Sequence, residues 1–207
     1  LTKDIGWMSD GYTEVFSNKL FNLINEQSFF IKDAFLFSED RFRPFFYLSF
    51  QLLPDNPILF HGVTLIFFFF SSLLIFVLAH KISNSSNVAL LTSILYTIHY
   101  SINVKALSWN VFNSHIINAV FGFFSIYLFI LFLEKRKIKT LYLSFFIFFA
   151  LIGSLISESG LIYPLIASTF IILFKRQNLI LNLSLSFLPI IFYVLLVFFC
   201  SGKFLPI

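Results

Sequence analysis

From residue 58 onward the chain is built of apolar runs too long and too continuous for any solvent but lipid. Residues 58–79, 116–133 and 179–200 contain no Asp, Glu, Lys or Arg. Inside a bilayer a backbone N–H or C=O has no water to bond, so a spanning segment must pair its own polar groups as a helix or within a closed barrel. Barrel strands alternate apolar and polar residues. These runs do not alternate. With 58% hydrophobic residues, 12% charged residues, 33 Phe and a mean hydropathy of +0.91, the chain has too little polar surface for a water-soluble globule. It reads as an all-α, polytopic helical membrane protein.

The runs and the breaks between them predict about six spans, near residues 58–79, 88–102, 116–133, 140–157, 159–174 and 179–200. Together they make a membrane domain over residues 58–207. The second span is short: its 15 residues reach about 22 Å at 1.5 Å per residue, against a hydrocarbon core of roughly 30 Å. It is expected to be tilted, broken or capped by protein. Asn84-Ser85-Ser86-Asn87 is expected as a polar turn, and the two runs that meet at Glu158 as a tight helical hairpin.

The formal charge of +4 does not point to nucleic acid, because Lys and Arg gather in short loops between runs. With six spans and an external first loop, residues 80–87, 134–139 and 175–178 fall on the cytoplasmic side. These short loops carry seven of the 14 Lys and Arg residues, as the positive-inside rule requires. That orientation sets the first loop, the segment around Trp109 and Glu158 together on the external or lumenal side of a plasma or inner membrane. The single cysteine, Cys200, allows no internal disulfide and reads as a small buried hydrophobe.

Residues 1–57 differ from everything after them. Eight of the ten acids lie there: Asp4, Asp10, Glu14, Glu26, Asp33, Glu39, Asp40 and Asp55. Only Glu134 and Glu158 lie beyond. Phe16, Leu20, Phe21 and Ile24 share one side at helical spacing, and residues 45–53 follow Pro44, so two short amphipathic helices on the membrane surface are expected in a long external loop. The chain opens on Leu1 and its one methionine is Met8, with no basic start and apolar core of a signal peptide, so a piece of a longer protein is expected.

Several polar residues are candidates for chemistry. Asp10, in Ser9-Asp10-Gly11-Tyr12, suits a general base toward a hydroxyl, and equally a solvated turn aspartate. Arg41 and Arg43 suit bidentate binding of a phosphate near the headgroup layer, and equally pairing with Glu39, Asp40 or anionic lipid. Glu158 separates two apolar runs with no room for a polar loop, which is costly unless it meets water, a cavity or a partner. His61, His99 and His115 fall near external span ends, where they can line a polar cavity or serve structurally. Trp109 suits the interface. The histidine spacing matches no metal motif, no glycine-rich phosphate loop occurs, and no cofactor is implied.

Taken in order, Ser9-Asp10, Arg43-Pro44-Phe45, Asn56-Pro57-Ile58-Leu59-Phe60-His61, Ile98-His99-Tyr100, Ala106-Leu107-Ser108-Trp109 and Ser154-Leu155-Ile156-Ser157-Glu158-Ser159 resemble the GT-C superfamily of membrane glycosyltransferases. The likeness is nearest to bacterial relatives of protein O-mannosyltransferases and to the TPR-bearing mannosyltransferase-like proteins. It implies transfer of a sugar such as mannose from a polyprenyl-phosphate donor to a lipid, glycan or protein acceptor on the external face. Asp10 would then be the base, Arg43 would sit in the family's Arg-Pro segment, and Glu158 would face the donor cavity. The chain departs from the pattern at several places. Ser9-Asp10 stands where many relatives have two acids, which leaves dependence on a divalent metal open; Thr64, Phe68, Tyr100, His115 and Ser157 replace the usual Asn, His, Pro, Asp and Lys. A transporter or flippase-like carrier and a non-catalytic membrane assembly subunit are the other classes this composition allows. A carrier would place ionisable or broken-helix sites near mid-membrane.

Overall fold

A computed structural model describes residue 45 and residues 57–99, 113–134, 138–174 and 178–201. These form six α-helices and one short 3-10 turn: α1 Pro57–Ser83, α2 Ser86–Ile98, α3 Asn113–Glu134, α4 Lys139–Ile156, the turn Glu158–Leu161, α5 Ile162–Phe174 and α6 Leu179–Ser201. Four of them contain stretches long and apolar enough to cross a membrane: Gly62–Ser83, Ser114–Glu134, Lys139–Ile156 and Leu179–Cys200. Ser86–Ile98 and Glu158–Phe174 are apolar but shorter. The chain is a multi-pass, all-α integral membrane protein.

Helix boundaries follow local chemistry. Pro57 opens α1, where its missing N–H has no intrahelical partner to lose. Asn84 closes that helix with a φ of 53°, a left-handed conformation that its short polar side chain tolerates, and its N–H returns to the His80 carbonyl at 2.9 Å. Ser85 then caps α2 by accepting from the Val88 N–H at 3.5 Å. The polar turn is therefore only two residues long, because Ser86 and Asn87 already belong to α2. That helix stops at Ile98, and its 13 residues span about 20 Å.

Side-chain pairs give the directions of the helices. Ser72 meets Ser93 and Phe68 meets Tyr96, so α1 and α2 are antiparallel. Phe67 meets Phe121 and Lys81 meets Glu134, so α1 and α3 are parallel. Asn118 lies against Gly153 and Phe129 against Phe146, so α4 returns antiparallel to α3. Tyr163 sits on Gly122, while Ala167 and Ile171 share a core with Leu128, Phe129 and Phe132, so α5 runs with α3 and against α4. Helix α6 runs with α4, joining it at Leu155, Tyr193 and Val197. Both α3 and α6 pack against both arms of the α4–α5 hairpin. One end of the bundle thus gathers Lys81, Glu134 and Lys139; the other gathers His99, His115 and Glu158.

Helix α3 is the centre. Over half of its apolar window is buried, 56% against 17% for α1, and its buried residues run almost all round. Its core joins Leu128, Phe129 and Phe132 to Phe146 and Ala150 of α4 and to Ala167 and Ile171 of α5. On α1, by contrast, Thr64, Ser71 and Leu78 are buried at seven-residue spacing, while Leu65, Ile66, Phe69, Phe70 and Leu73 stay exposed as a lipid-facing surface requires.

Candidate functional site

At the Glu158 end, two helix ends lie below the level at which α1 and α3 begin. The Phe68–Tyr96 pair puts the end of α2 beside about Ile66, about 14 Å along α1 from Pro57. The break after α4 lies beside Asn118, about 8 Å along α3 from Asn113. Non-helical backbone at membrane depth is stable only when buried in protein or bordering a water-filled cavity. The break between α4 and α5 is held from within the protein.

Asn118 does the holding. It is buried, 1% exposed, in the first turns of α3. When both ends of its carboxamide find complementary partners, Nδ2 donates to the Gly153 carbonyl at 3.3 Å, and Oδ1 accepts from Ser159 Oγ and from the Gly160 N–H, each at 3.0 Å. Ser157 Oγ lies 2.9 Å from Ser159 Oγ. Since the Ser159 proton goes to Asn118, Ser157 donates to Ser159, and the hydroxyls and carboxamide form one directed chain. The Gly153 carbonyl also accepts the Ser157 N–H at 3.0 Å, and the Gly160 N–H also reaches the Ser157 carbonyl at 2.8 Å. One carboxamide therefore ties the last turn of α4 to the 3-10 turn that follows.

Two glycines make room for it. A Cβ on Gly153 would stand 2.8 Å from the Asn118 carboxamide, and one on Gly160 would strike the backbone of Gly153 and Ser154. Gly160 is closed to any larger residue, and at Gly153 a larger residue would displace the carboxamide. Ser154, fully buried, returns its hydroxyl to the Ala150 carbonyl at 2.9 Å.

Below this polar layer lies an aromatic one. Tyr96 and Phe123 meet edge to face with centroids 6.0 Å apart, as do Phe123 and Tyr163 at 5.6 Å, and Phe68 stacks on Tyr96 at 6.1 Å. Tyr96 lies one turn from His99, and Tyr163 lies just beyond the Glu158 turn. The rings link α1 and α2 to α3 and α5.

The residues singled out from sequence fall as follows. Glu158 is half-buried in the first position of the 3-10 turn, and His99 and His115 are exposed at the same end of the bundle. His61 lies in α1, but its side chain falls outside the described residues, as do Asp10, Arg41, Arg43 and Trp109 entirely. Phe45, from the Arg43-Pro44-Phe45 segment, packs on the cluster of Leu155, Tyr193 and Val197. The structure thus brings Glu158, His99 and His115 to one end. Among the described residues no group of three His, Cys, Asp or Glu side chains comes together as a metal site.

Asn118, Gly153 and Gly160 were legible only in part. The signal was a carboxamide inside residues 116–133, a run otherwise almost wholly apolar, where a polar group needs a partner. Which partner it takes is not written in the local sequence. No family model matches the chain, and no curated protein or solved structure is significantly similar to it.

Proposed function

We propose that this membrane protein is a GT-C-like glycosyltransferase, which moves a sugar from a polyprenyl-phosphate carrier to a lipid, glycan or protein acceptor at the Glu158 end of the bundle. The observation that carries the reading is the break at Ser157-Glu158-Ser159. An ionisable residue sits half-buried at a helix break braced by Asn118, at the position where the motif order resembles the family's glutamate segment. The two short helices, α2 and the Glu158–Phe174 segment, complete six spans, with the first loop on the external face.

Inverting transfer needs a base beside the acceptor hydroxyl and stabilisation of the leaving phosphate. Asp10 is assigned the first role, and Arg41 and Arg43 the second. Glu158, His61, His99, His115 and Trp109 are assigned with the arginines to the sugar-phosphate donor, the Glu158 carboxylate to its sugar hydroxyls.

The test is transfer from a radiolabelled polyprenyl-phosphate sugar in membranes carrying the protein. At matched expression, Asp10→Asn abolishes transfer and Glu158→Gln lowers it at least about tenfold, the scale of a lost charge-assisted contact. Wild-type membranes inactive with several donors would end this reading, and a fully active Asp10→Asn would remove Asp10 from the mechanism.

A further inference from the structure

Resting on that reading for its catalytic consequence, we infer that Asn118 is a positioning residue that fixes Glu158 by stapling the 3-10 turn to α3. Glu158 is the first residue of a four-residue turn with a helix on either side. The turn's own backbone bonds run from the Ser157 N–H to the Gly153 carbonyl, from the Gly160 N–H to the Ser157 carbonyl and from the Ile162 N–H to the Ser159 carbonyl, and Asn118 adds the tie to another helix. The Gly160 N–H is shared between the Ser157 carbonyl and Asn118 Oδ1, and Ser159 is held through its hydroxyl by the same oxygen.

These contacts bracket Glu158 on its C-terminal side. On its N-terminal side the Gly153 carbonyl receives both the Ser157 N–H and Asn118 Nδ2. One side chain therefore touches the chain before and after the glutamate, and it comes from a different helix. Its burial, with that of Gly153 and Gly160, shields the two bonds to backbone from water, while Ser159 is exposed. Removing Asn118 takes one of two partners from three groups at once, leaving the turn held by its own backbone bonds and the Ser157–Ser159 hydroxyl pair.

The two glycines support a staple over a polar residue that merely packs. At Gly153 a side chain would occupy the carboxamide's place, and at Gly160 the turn could not close onto α4. Neither glycine has the left-handed backbone that would explain it independently. Both serve close approach around one amide.

The experiment uses Glu158→Cys in a Cys200→Ser background, which leaves one thiol in the chain. Labelling by a membrane-impermeant maleimide is followed in the purified 207-residue chain in lipid nanodiscs. A companion chain carries Asn87→Cys, at the exposed start of α2 on the opposite end of the bundle. Asn118→Leu changes the labelling rate at position 158 about tenfold, because several buried hydrogen bonds are lost together, and leaves the rate at position 87 unaltered. Asn118→Asp, which keeps the acceptor for Ser159 and Gly160 but loses the donor to the Gly153 carbonyl, restores the rate at 158 in part. Should Asn118→Leu fail to accumulate, Ser159→Ala is read instead, with a smaller shift at 158 only.

An unchanged rate at 158, or equal changes at 158 and 87, would overturn the staple. In the transfer assay, with Glu158 intact, Asn118→Leu lowers kcat and Asn118→Asp recovers part of it. A wild type without transfer activity would end the glycosyltransferase reading while the labelling still decided whether Asn118 fixes the turn.

Discussion

The α1–α2 pair and the α3–α6 bundle are both helices in lipid, yet they are held together differently. Between α1 and α2 the contacts are hydroxyls: Ser93 Oγ donates to the Ser72 carbonyl at 2.9 Å, Tyr96 donates to Ser71 Oγ at 3.0 Å, and Thr97 donates to Ser72 Oγ at 3.3 Å. Among α3, α4, α5 and α6 most contacts are rings seated on rings and small residues, as with Phe129 on Phe146 at 4.6 Å, Ala150 and Ala167 in one core, and Tyr163 on Gly122. Ser168 and Ser186, 2.8 Å apart and buried between α5 and α6, and Asn118 on the Gly153 carbonyl between α3 and α4 are the polar exceptions.

The difference teaches what drives association where water is absent. Lipid tails are as apolar as Leu, so burying Leu against Leu separates no oil from water. Close packing and hydrogen bonds remain. Membrane hydrogen bonds between helices contribute only about 0.6 kcal/mol on average, so the hydroxyl seam is the weaker join and the jigsaw core the stronger.

Substitutions can break or sharpen that contrast, read as unfolding free energy of the purified protein in mixed micelles titrated with SDS. Gly122→Val drives a branched side chain into the Tyr163 ring and costs about 3 kcal/mol or more, or prevents accumulation of folded protein. Phe129→Ala, fully buried at the centre of the core, costs about 3 kcal/mol. Tyr96→Phe removes one seam hydrogen bond while keeping the ring, and costs about 0.6 kcal/mol. If Tyr96→Phe matched Phe129→Ala, the distinction between the two joins would collapse.

The smallest effect is expected at the other end. Lys81 Nζ lies 2.7 Å from Glu134, both about one-third exposed, and ties the close of α1 to the close of α3. Glu134→Gln costs under about 0.5 kcal/mol, and less again in high salt, because surface pairs lose most of their attraction to solvent and ions. A larger, salt-insensitive loss would show that this pair is shielded by lipid, and would make the basic end a third kind of join.

Residues with strong local signals were legible before the fold. Pro57, Asn84, Ser85 and Glu158 mark helix starts, stops and the break, since each acts on backbone within a few positions of itself. His80 and Lys81 closing α1 were visible in the same way. The seam and the staple were not. Ser71, Ser72 and Ser93 look like any small polar residues in a span until Tyr96 and Thr97 are seen opposite them. Asn118 and Gly160 are more than forty positions apart, and no local pattern links a carboxamide to a backbone N–H at that distance.

By itself, then, the sequence determined the solvent, the secondary structure and the places where helices stop, because the backbone's need for hydrogen bonds in lipid leaves a run of apolar residues one choice. It also carried the motif order behind the functional proposal. Only the tertiary structure decided which face of each helix is inside, since helices apolar all round carry no amphipathic stripe to announce it. That decision placed Tyr163 on Gly122, set α3 at the centre, and brought Asn118 to the turn that bears Glu158.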